Sequence, residues 1–376
     1  MTYDPVSLSQ ELIRCPSITP EEGGALVLLE KVLRNLGFEC HRLDYGDVSN
    51  LYAKIGTGSP HFCFAGHTDV VPLGDASAWT HDPFSGQISE GKLWGRGTAD
   101  MKCAIAAFVV AVERFLSQNA FQGSLSFLIT GDEEKDAIHG TVKVLEWLKN
   151  RNDFPDACLI GEPTSQVQIC DMIKIGRRGS VTGKLTCHGK QGHIAYPAFM
   201  DNPIPRLLKT LQVLLENPID AGSDYFEPSR LEITSIDVGN KASNIIPNKV
   251  TAYFGVRIND LQTGEKIQTW IEDVCRETAG HHDLEITCHG DAFLTQDQDL
   301  IKLVSLAVQN VTGRVPELST SGATTDGRFI THHCPVVECG LKEATMHQID
   351  EHVEVGDIEI LTAIYERILG QFFRQM

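Results

Sequence analysis

The sequence has 376 residues, 42% of them hydrophobic, and a formal net charge of −18 at pH 7. The length and apolar content are enough for a large buried core, and the length favours two domains. The acidic balance argues against nucleic acid or an anionic membrane surface as a partner, because both bind basic surfaces.

The longest apolar stretch, residues 103–112, is far below the roughly 20 residues that a helix needs to span a bilayer. The N-terminal segment lacks the basic start and apolar core of a secretory signal. Eleven cysteines are scattered along the chain without a Cys-x-x-Cys pair. In a chain of this size, that pattern predicts reduced thiols and a cytoplasmic location.

The first 175 residues alternate between helix and strand patterns. Apolar periodicity predicts helices over residues 5–15, 22–37, 101–119 and 140–151, the second of them closed by Gly37. Short apolar runs predict strands over residues 50–56, 61–71, 123–134 and 157–164. This alternation is typical of an α/β sheet with helices on both faces.

A different pattern follows. Strands are predicted over residues 179–193, 230–240, 248–259 and 282–291, helices over 202–217 and 264–280, and long helices again over 299–313 and 357–373. We therefore expect an α/β domain with a mixed central sheet, formed by residues 1–177 and 293–376. A smaller α+β domain, residues 178–292, would interrupt it with two helices on a four-stranded antiparallel sheet.

Polar residues follow the predicted strands. His67 and Asp69 end one strand and share a face because they are two residues apart. An Asp in this position can fix the tautomer of a metal-bound histidine, although a structural pair at a strand end is the favoured interpretation of these two residues alone. Asp100 lies between a glycine-containing loop and a long helix. It is therefore either a helix N-cap or a carboxylate at the mouth of the sheet.

Two more predicted strands end in acidic residues. Glu133 and Glu134 lie at the end of one strand, Glu162 lies near the end of another, and His347 lies near the C-terminus. Two adjacent glutamates on their own would be explained as solvent-exposed residues at the N-terminus of a helix, where the helix dipole favours negative charge. Together with the polar residues above, they predict two divalent cations that share one bridging carboxylate. The repulsion between the two adjacent glutamates is then explained, since one binds a cation and the other is free to accept a proton.

Seven motifs resemble those of the co-catalytic zinc amidohydrolases and exopeptidases, a family that includes aminoacylases, acetylornithine deacetylase and glutamate carboxypeptidases. The motifs are "GHTDVVP", "GRGTADMK", "TGDEE", "GEPTS", "GKQGHIAYP", "NIIPNKV" and "TSGATTDGRFI". They cover essentially the whole chain. "TGDEEKDAIHGT", "GRRGS" and "STSGATTDGRF" are most similar to the branch that hydrolyses N-succinyl-L,L-2,6-diaminopimelate to succinate and diaminopimelate, for lysine and cell-wall synthesis.

The resemblance implies two zinc ions per subunit, for which cobalt can substitute. It makes Asp100 the bridging ligand. His67 and Glu162 would complete one site, and Glu134 and His347 the other. These ligands all belong to the larger, catalytic domain.

The resemblance also implies the roles of the remaining site residues. Glu133 would be the general base and Asp69 the residue that orients the neighbouring histidine. The smaller domain would be a lid and homodimer interface, in which His193 reaches across the dimer to polarise the scissile carbonyl and Asn244 has a similar role. The residues expected at the substrate are Arg177, Ser180, Tyr196, Arg257 and Thr324.

Several alternatives stay open at this point. The chain departs from the branch at Ala323 and at 341–343, outside the implied ligands. The substrate, a small acylated amino acid, could therefore be that of an acetylornithine deacetylase or a dipeptidase. A non-catalytic protein that keeps the metal as a scaffold is an alternative from another class. The surrounding sequence alone would make His193 and Arg257 ordinary surface residues.

Overall fold

A computed structural model describes residues 2–374 of the chain. The chain divides into two compact units. The first comprises the chain up to Gly176, Thr295–Ser319 and the segment from Thr325 onward. The second comprises Arg177–Leu294 and Thr320–Thr324. Residues 320–324 thus group with the second unit, whereas the sequence analysis assigned them to the larger domain.

The elements in chain order begin in the first unit with α1 (Pro5–Ile13), α2 (Ala25–Asn35), β1 (Glu39–Tyr45), β2 (Val48–Thr57), β3 (His61–His67), β4 (Ile88–Ser89), β5 (Lys92–Trp94), α3 (Cys103–Gln118), β6 (Gly123–Thr130), α4 (Thr141–Lys149), β7 (Ala157–Ile160) and β8 (Met172–Lys174). The second stretch contains β9 (Gly176–Arg177), β10 (Gly179–His188), β11 (Gly192–His193), α5 (Ile204–Glu216), β12 (Arg230–Asp237), β13 (Ile245–Ile246), β14 (Lys249–Ile258), α6 (Gly264–Thr278), β15 (His282–Gly290) and β16 (Phe293–Leu294). The last stretch contains α7 (Gln298–Thr312), β17 (Glu317–Ser319), α8 (Gly327–Ile330), β18 (Val336–Glu338), β19 (His352–Glu354) and α9 (Val355–Phe372).

The first unit is built on an eight-stranded sheet with the order β1-β2-β6-β3-β7-β18-β8-β17. Four neighbouring strands in the middle of the sheet, β6, β3, β7 and β18, pair in parallel. At one end of the sheet β1 pairs with β2 and β2 with β6, both antiparallel. Toward the other end, β18 and β8 also pair antiparallel. The central strands are buried almost throughout, as expected of strands that are covered on both faces. The mixed central sheet of an α/β fold is therefore confirmed.

Helix α3 packs against this sheet and is buried nearly all round. Its residues from Cys103 to Val112 are all fully or almost fully buried, which explains why its sequence is apolar without a polar face. The ring of Phe108 stacks on Phe64 of β3 with centroids 4.2 Å apart and meets Tyr365 of α9 edge-on at 5.4 Å. This aromatic contact joins helix, strand and helix into one core.

The parallel strands place their carboxyl ends at one edge of the sheet. In the register of β3 and β6, His67 lies beside Thr130, and in that of β3 and β7, Ala65 lies beside Ile160. Strand β3 ends at residue 67 and β6 at residue 130, several residues earlier than predicted. The chain therefore turns away from the sheet just before the acidic residues, and this turn brings polar side chains from different strands together.

The second unit is a four-stranded antiparallel sheet with the order β12-β14-β10-β15, covered by α5 and α6. Its own core includes Val181, Leu211, Phe254 and Ile271. The predicted architecture of two helices on four antiparallel strands is thus confirmed. Strands β9 and β16, at which the chain enters and leaves this unit, are neighbours in a two-stranded sheet.

Among residues 2–374, no helix combines the length and the apolar character that crossing a membrane requires.

Candidate metal centre

The five residues predicted as metal ligands all lie in the first unit, at the carboxyl edge of its sheet. They come from five places in the chain: the end of β3, the turn before α3, the loop after β6, the loop after β7, and the segment after β18. Two groups form, and each contains ligand atoms that all lie within 4.8 Å of one another. The first group is His67, Asp100 and Glu162, and the second is Asp100, Glu134 and His347.

The first group is buried. His67 Nε2 lies 3.0 Å from Asp100 Oδ1 and 3.3 Å from Glu162 Oε1. The three side chains are between 1% and 8% exposed. A cation held here would be shielded from bulk water.

The second group opens toward solvent. His347 Nε2 lies 2.9 Å from Glu134 Oε1 and 3.2 Å from Asp100 Oδ2. The His347 side chain is 41% exposed, whereas the two carboxylates are almost buried. A ligand that arrives from outside would therefore reach this group from the histidine side.

Asp100 belongs to both groups and presents one carboxylate oxygen to each. It lies in a short turn, Thr98–Lys102, where its backbone is extended (φ −125°, ψ 101°) rather than helical. The residue at the N-cap of α3 is Lys102, so Asp100 does not cap the helix. Of the two alternatives for Asp100, the structure supports the carboxylate at the mouth of the sheet.

The electrostatics of the site favour added positive charge. Hydrogen bonds that His347 donates to the carboxylates of Asp100 and Glu134 raise the pKa of this histidine to about 10. Burial alone would lower the pKa of His67, but hydrogen bonds with Asp100 and other carboxylates outweigh it and hold that pKa well above its usual value. Two imidazoles and three carboxylates are ligands that borderline divalent ions accept. The residues present therefore fit a pair of dications.

Glu133 belongs to neither group and lines a small cavity beside them. The cavity is also lined by His67, Thr141, Glu162 and Asp326. Burial and the neighbouring Glu162 raise the pKa of Glu133 well above its usual value. Its carboxylate is thus close to the ligands without being one of them.

Asp69 contacts the site in a way that the sequence did not predict. Its carboxylate accepts hydrogen bonds from the backbone N–H groups of Glu133 (3.3 Å) and Glu134 (3.1 Å). His67 Nδ1 lies 2.9 Å from the carbonyl oxygen of Asp69 but 3.5 Å from its carboxylate. The side chain therefore fixes the loop that bears the two glutamates more directly than it fixes the histidine.

Asp326 is a polar residue of this cavity that sequence reasoning missed. Thr141 Oγ1 donates to Asp326 Oδ2 at 2.6 Å. Asp326 Oδ1 is buried and has no hydrogen-bond partner among the described residues. The motif "TTDGRF" contains this aspartate, but the sequence analysis assigned only Thr324 in it. The signal that could have found Asp326 is that it is the single acidic residue of a motif already assigned to the site.

The other predicted site residues lie in the second unit. His193 on β11 and Asn244 are exposed, and Asn244 Nδ2 lies 3.4 Å from His193 Nε2. The ring of Tyr196 is 5.6 Å from that of His193. These three form one exposed cluster, and their roles remain predictions.

A second cluster of this unit contains the predicted carboxylate-binding residues. Arg257 Nη1 donates to Ser180 Oγ at 2.5 Å, because β14 and β10 place these residues directly opposite each other. Arg177 is buried and donates to the carbonyl oxygen of Ser321 at 3.4 Å. The hydroxyl oxygen of Thr324 is buried without a hydrogen-bond partner among the described residues. The two arginines and the threonine offer hydrogen-bond donors of the kind that a carboxylate accepts.

Residues 63–371 match the model of the peptidase family M20/M25/M40. The chain belongs to this family. It is 54% identical to a succinyl-diaminopimelate desuccinylase of Rhodospirillum centenum, over 99% of this chain and 98% of that protein. It is 51% identical to a desuccinylase of Parvibaculum lavamentivorans, over 99% and 96% of the two chains. The predicted family and the predicted class of enzyme, a hydrolase, are therefore confirmed.

Solved structures of the family share the fold. A metallo-carboxypeptidase of Sulfolobus solfataricus superposes with a TM-score of 0.83 at 17% identity, over 100% of both chains. A Bacillus subtilis protein, described as a dinuclear metal-binding peptidase of family M20, superposes with a TM-score of 0.73 at 14% identity, over 99% of this chain and 98% of that one. At these identities the likeness concerns the fold alone.

Proposed function

We propose that this protein hydrolyses N-succinyl-L,L-2,6-diaminopimelate to succinate and L,L-diaminopimelate, a precursor of lysine and of the cell wall. The observation that carries the proposal is the geometry around Asp100, which joins two ligand groups with Glu133 beside them. The identity of about 50% to desuccinylases over nearly the whole chain supports this substrate.

The two ligand groups would hold two Zn²⁺ ions per subunit, for which Co²⁺ can substitute. His67 and Glu162 would hold one ion, Glu134 and His347 the other, and Asp100 both. When bound, such ions polarise an acyl carbonyl and lower the pKa of a water molecule toward neutrality. Their softness and preferred geometry suit mixed imidazole and carboxylate ligands.

Glu133 moves the proton in the proposed reaction. It accepts a proton from water as the hydroxyl group adds to the succinyl carbonyl carbon. The carbon–nitrogen bond then breaks, and Glu133 gives the proton to the departing amine. Asp69 keeps Glu133 in place, because its carboxylate binds the backbone N–H of that residue. Since Glu133 binds no ion in this arrangement, its carboxylate stays available for the proton.

The second unit would bind the rest of the substrate and act as the lid. Arg177, Arg257 and Thr324 would bind substrate carboxylates, because a planar guanidinium matches a carboxylate with two parallel hydrogen bonds. Ser180 would hold Arg257 through the hydrogen bond described above. Tyr196 would assist at the same substrate surface.

We propose further that the chain works as a homodimer, joined through this unit. His193, supported by Asn244, would then stabilise the acyl oxygen in the partner subunit's site. The strong exposure of His193 and Asn244 within their own unit suits such a role. A cytoplasmic location is supported by the eleven cysteines, all of which carry free thiols.

A substrate panel tests the proposed function. The purified protein, loaded with Zn²⁺ or Co²⁺, is assayed with N-succinyl-L,L-2,6-diaminopimelate, N-acetylornithine and simple dipeptides. We expect the highest kcat/KM with the succinylated substrate, loss of turnover with a chelator, and recovery when the metal is returned. Faster turnover of acetylornithine or a dipeptide would assign the chain to another amidohydrolase, and no turnover of any substrate would support a non-catalytic metal protein.

A further inference from the structure

Arg96 and Glu351 form a buried ion pair that lies outside both ligand groups. Arg96 Nη1 is 2.6 Å from Glu351 Oε2, and the two side chains are only 3% and 1% exposed. Arg96 lies in the glycine-containing loop before α3, and Glu351 precedes β19. Both residues belong to the first unit.

Glu351 binds the backbone that carries Asp100. Its second oxygen, Oε1, accepts hydrogen bonds from three N–H groups in or just before the turn: those of Gly97 (3.2 Å), Ala99 (2.9 Å) and Asp100 itself (3.3 Å). The carbonyl oxygen of Glu351 also accepts from the N–H of Gly95 at 2.9 Å. One glutamate therefore fixes the whole turn that presents the shared carboxylate.

Arg96 binds the backbone that carries His347. Its guanidinium donates to the carbonyl oxygens of Gln348 (3.2 Å) and His347 (3.4 Å). His347 has a φ of 62°, a left-handed conformation that is uncommon and strained for a residue other than glycine. The contacts with Arg96 help to hold this conformation. The guanidinium also donates to the carbonyl oxygen of Pro72 at 3.4 Å, and the ring of Trp79 covers it at 5.2 Å.

We propose that the Arg96–Glu351 pair is a positioning device that sets the two ligand groups at the distance needed for two ions to share Asp100. A planar guanidinium has five donors that point in fixed directions, which a lysine cannot reproduce. A carboxylate is needed to accept several amide hydrogens at once.

A purely structural role is the alternative for this pair. A buried ion pair seldom stabilises a fold more than a well-packed apolar pair would, because removing both charges from water costs free energy. The directions of the contacts argue for positioning, since Glu351 binds the backbone of the turn that carries Asp100 and Arg96 binds the backbone that carries His347. Residues of this kind, which hold metal ligands in place, alter metal affinity by roughly 10- to 100-fold when they are changed.

The test compares Arg96→Lys and Glu351→Gln with a matched control, Asp153→Asn. Asp153 pairs with Lys54 in the same unit, partly buried, and its other contacts are with Tyr52 and with His61, which lies at the opposite end of β3 from His67. Metal-free protein is titrated with Co²⁺ by calorimetry, and the visible absorption spectrum of the bound cobalt reports its coordination. Thermal unfolding of the metal-free variants measures stability separately.

We expect both substitutions to weaken Co²⁺ binding by about 10- to 100-fold and to change the cobalt spectrum, whereas Asp153→Asn changes neither. Arg96→Lys keeps the positive charge and should selectively weaken the ion held by Glu134 and His347, because Arg96 contacts the backbone of His347. Glu351→Gln should weaken both ions, because Asp100 serves both. Wild-type affinity and spectrum in these variants would overturn the proposal, even if their unfolding temperature falls.

The inference rests on the proposed function only in that the two ligand groups bind divalent ions. The titration does not depend on the substrate. A wild-type chain that binds two Co²⁺ ions but does not hydrolyse the succinylated substrate would refute the proposed function and leave the positioning role intact. Turnover of that substrate together with unchanged metal binding in both variants would refute the positioning role alone.

Discussion

Glu133 and Glu134 are neighbours in the chain but have different surroundings. Glu134 Oε1 lies 2.9 Å from His347 Nε2, whereas Glu133 lines the cavity with Thr141 and Asp326. The difference arises because the chain has left β6 by this point, so that consecutive side chains take different directions within one cleft. Asp69 keeps both residues in place through their N–H groups.

Glu133→Gln should separate proton transfer from metal binding. The amide keeps the size of the side chain but cannot accept a proton, so we expect kcat to fall by roughly 10²- to 10⁴-fold. Binding of two Co²⁺ ions, measured by calorimetry, should stay within about twofold of wild type. Glu134→Gln is the matched control, since it should weaken metal binding instead. A Glu133→Gln enzyme of near wild-type rate would show that another group is the base.

Much of the candidate site could be predicted from the sequence, because a polar residue at the end of an apolar strand is recognised from the local sequence pattern alone. Apolar runs followed by His67, the two glutamates or Glu162 can be recognised without coordinates. The contacts of Arg96 and Glu351 could not be predicted, because they are 255 positions apart and depend on how the turn before α3 folds back. The N-cap alternative for Asp100 was wrong for a related reason: the turn of Thr98–Lys102 delays the start of the helix.

At the scale of elements, long periodic segments were predicted well and polar edges were not. The predicted helix over residues 299–313 is observed as Gln298–Thr312, because Asp297 caps its start and Gly313, at φ 73°, ends it. Strand β1, with the sequence "ECHRLDY", was missed. It lies at the edge of the sheet with several side chains partly or fully exposed, so its polar sequence has little of the apolar pattern that marks a strand.

His61, at the start of β3, makes the stability of the first unit depend on pH. Its Nε2 lies 2.8 Å from Ser126 Oγ, and the charged groups near the ring are Lys54, Asp153 and Asp156. Burial and, secondarily, the charge of Lys54 lower the pKa of His61 to about 4. The unfolded chain, with a histidine pKa of about 6.5, binds a proton in the window between these values while the folded chain does not.

The free energy of unfolding should therefore decrease as the pH falls from about 6.5 to 4, by about 3 kcal/mol from this residue. In His61→Gln, which keeps a partner for Ser126 but cannot titrate, the decrease over this window should be smaller by that amount. Urea unfolding of metal-free protein at several pH values measures it, with the exposed His332→Gln as control. Parallel pH profiles for wild type and His61→Gln would contradict the assignment.

At the scale of the whole chain, the change of pattern after residue 177 predicts an insertion over residues 178–292, and the second compact unit comprises Arg177–Leu294 together with Thr320–Thr324. Alternation of apolar and polar residues, as in β14, distinguishes a sheet with one covered face from the buried strands of the first unit. Thr320–Thr324 could not be assigned in this way. Its grouping with the second unit depends on contacts across more than 90 positions, such as the hydrogen bond from Thr320 Oγ1 to the carbonyl oxygen of Tyr225.

All five predicted ligands lie in one unit, and all seven residues predicted at the substrate or its carbonyl lie in the other. A chain in which residues 178–292 are replaced by a short turn should therefore still bind two Co²⁺ ions, within about tenfold of the wild-type affinity. It should hydrolyse no succinylated substrate. Calorimetry and the desuccinylation assay test the two halves, and loss of both ions from a folded, shortened chain would contradict this separation.

The adjacency of β9 and β16 is what makes such a replacement feasible. Neighbouring strands of a sheet are only about 4.8 Å apart, so the two cut ends would need little new backbone to be rejoined. The second unit therefore begins and ends at neighbouring strands, β9 and β16. Exchanging it for another unit that supplies a counterpart of His193 would keep the metal ligands and Glu133 and alter which amides are bound. The metal-binding residues of one unit could in this way be combined with different substrate-binding units.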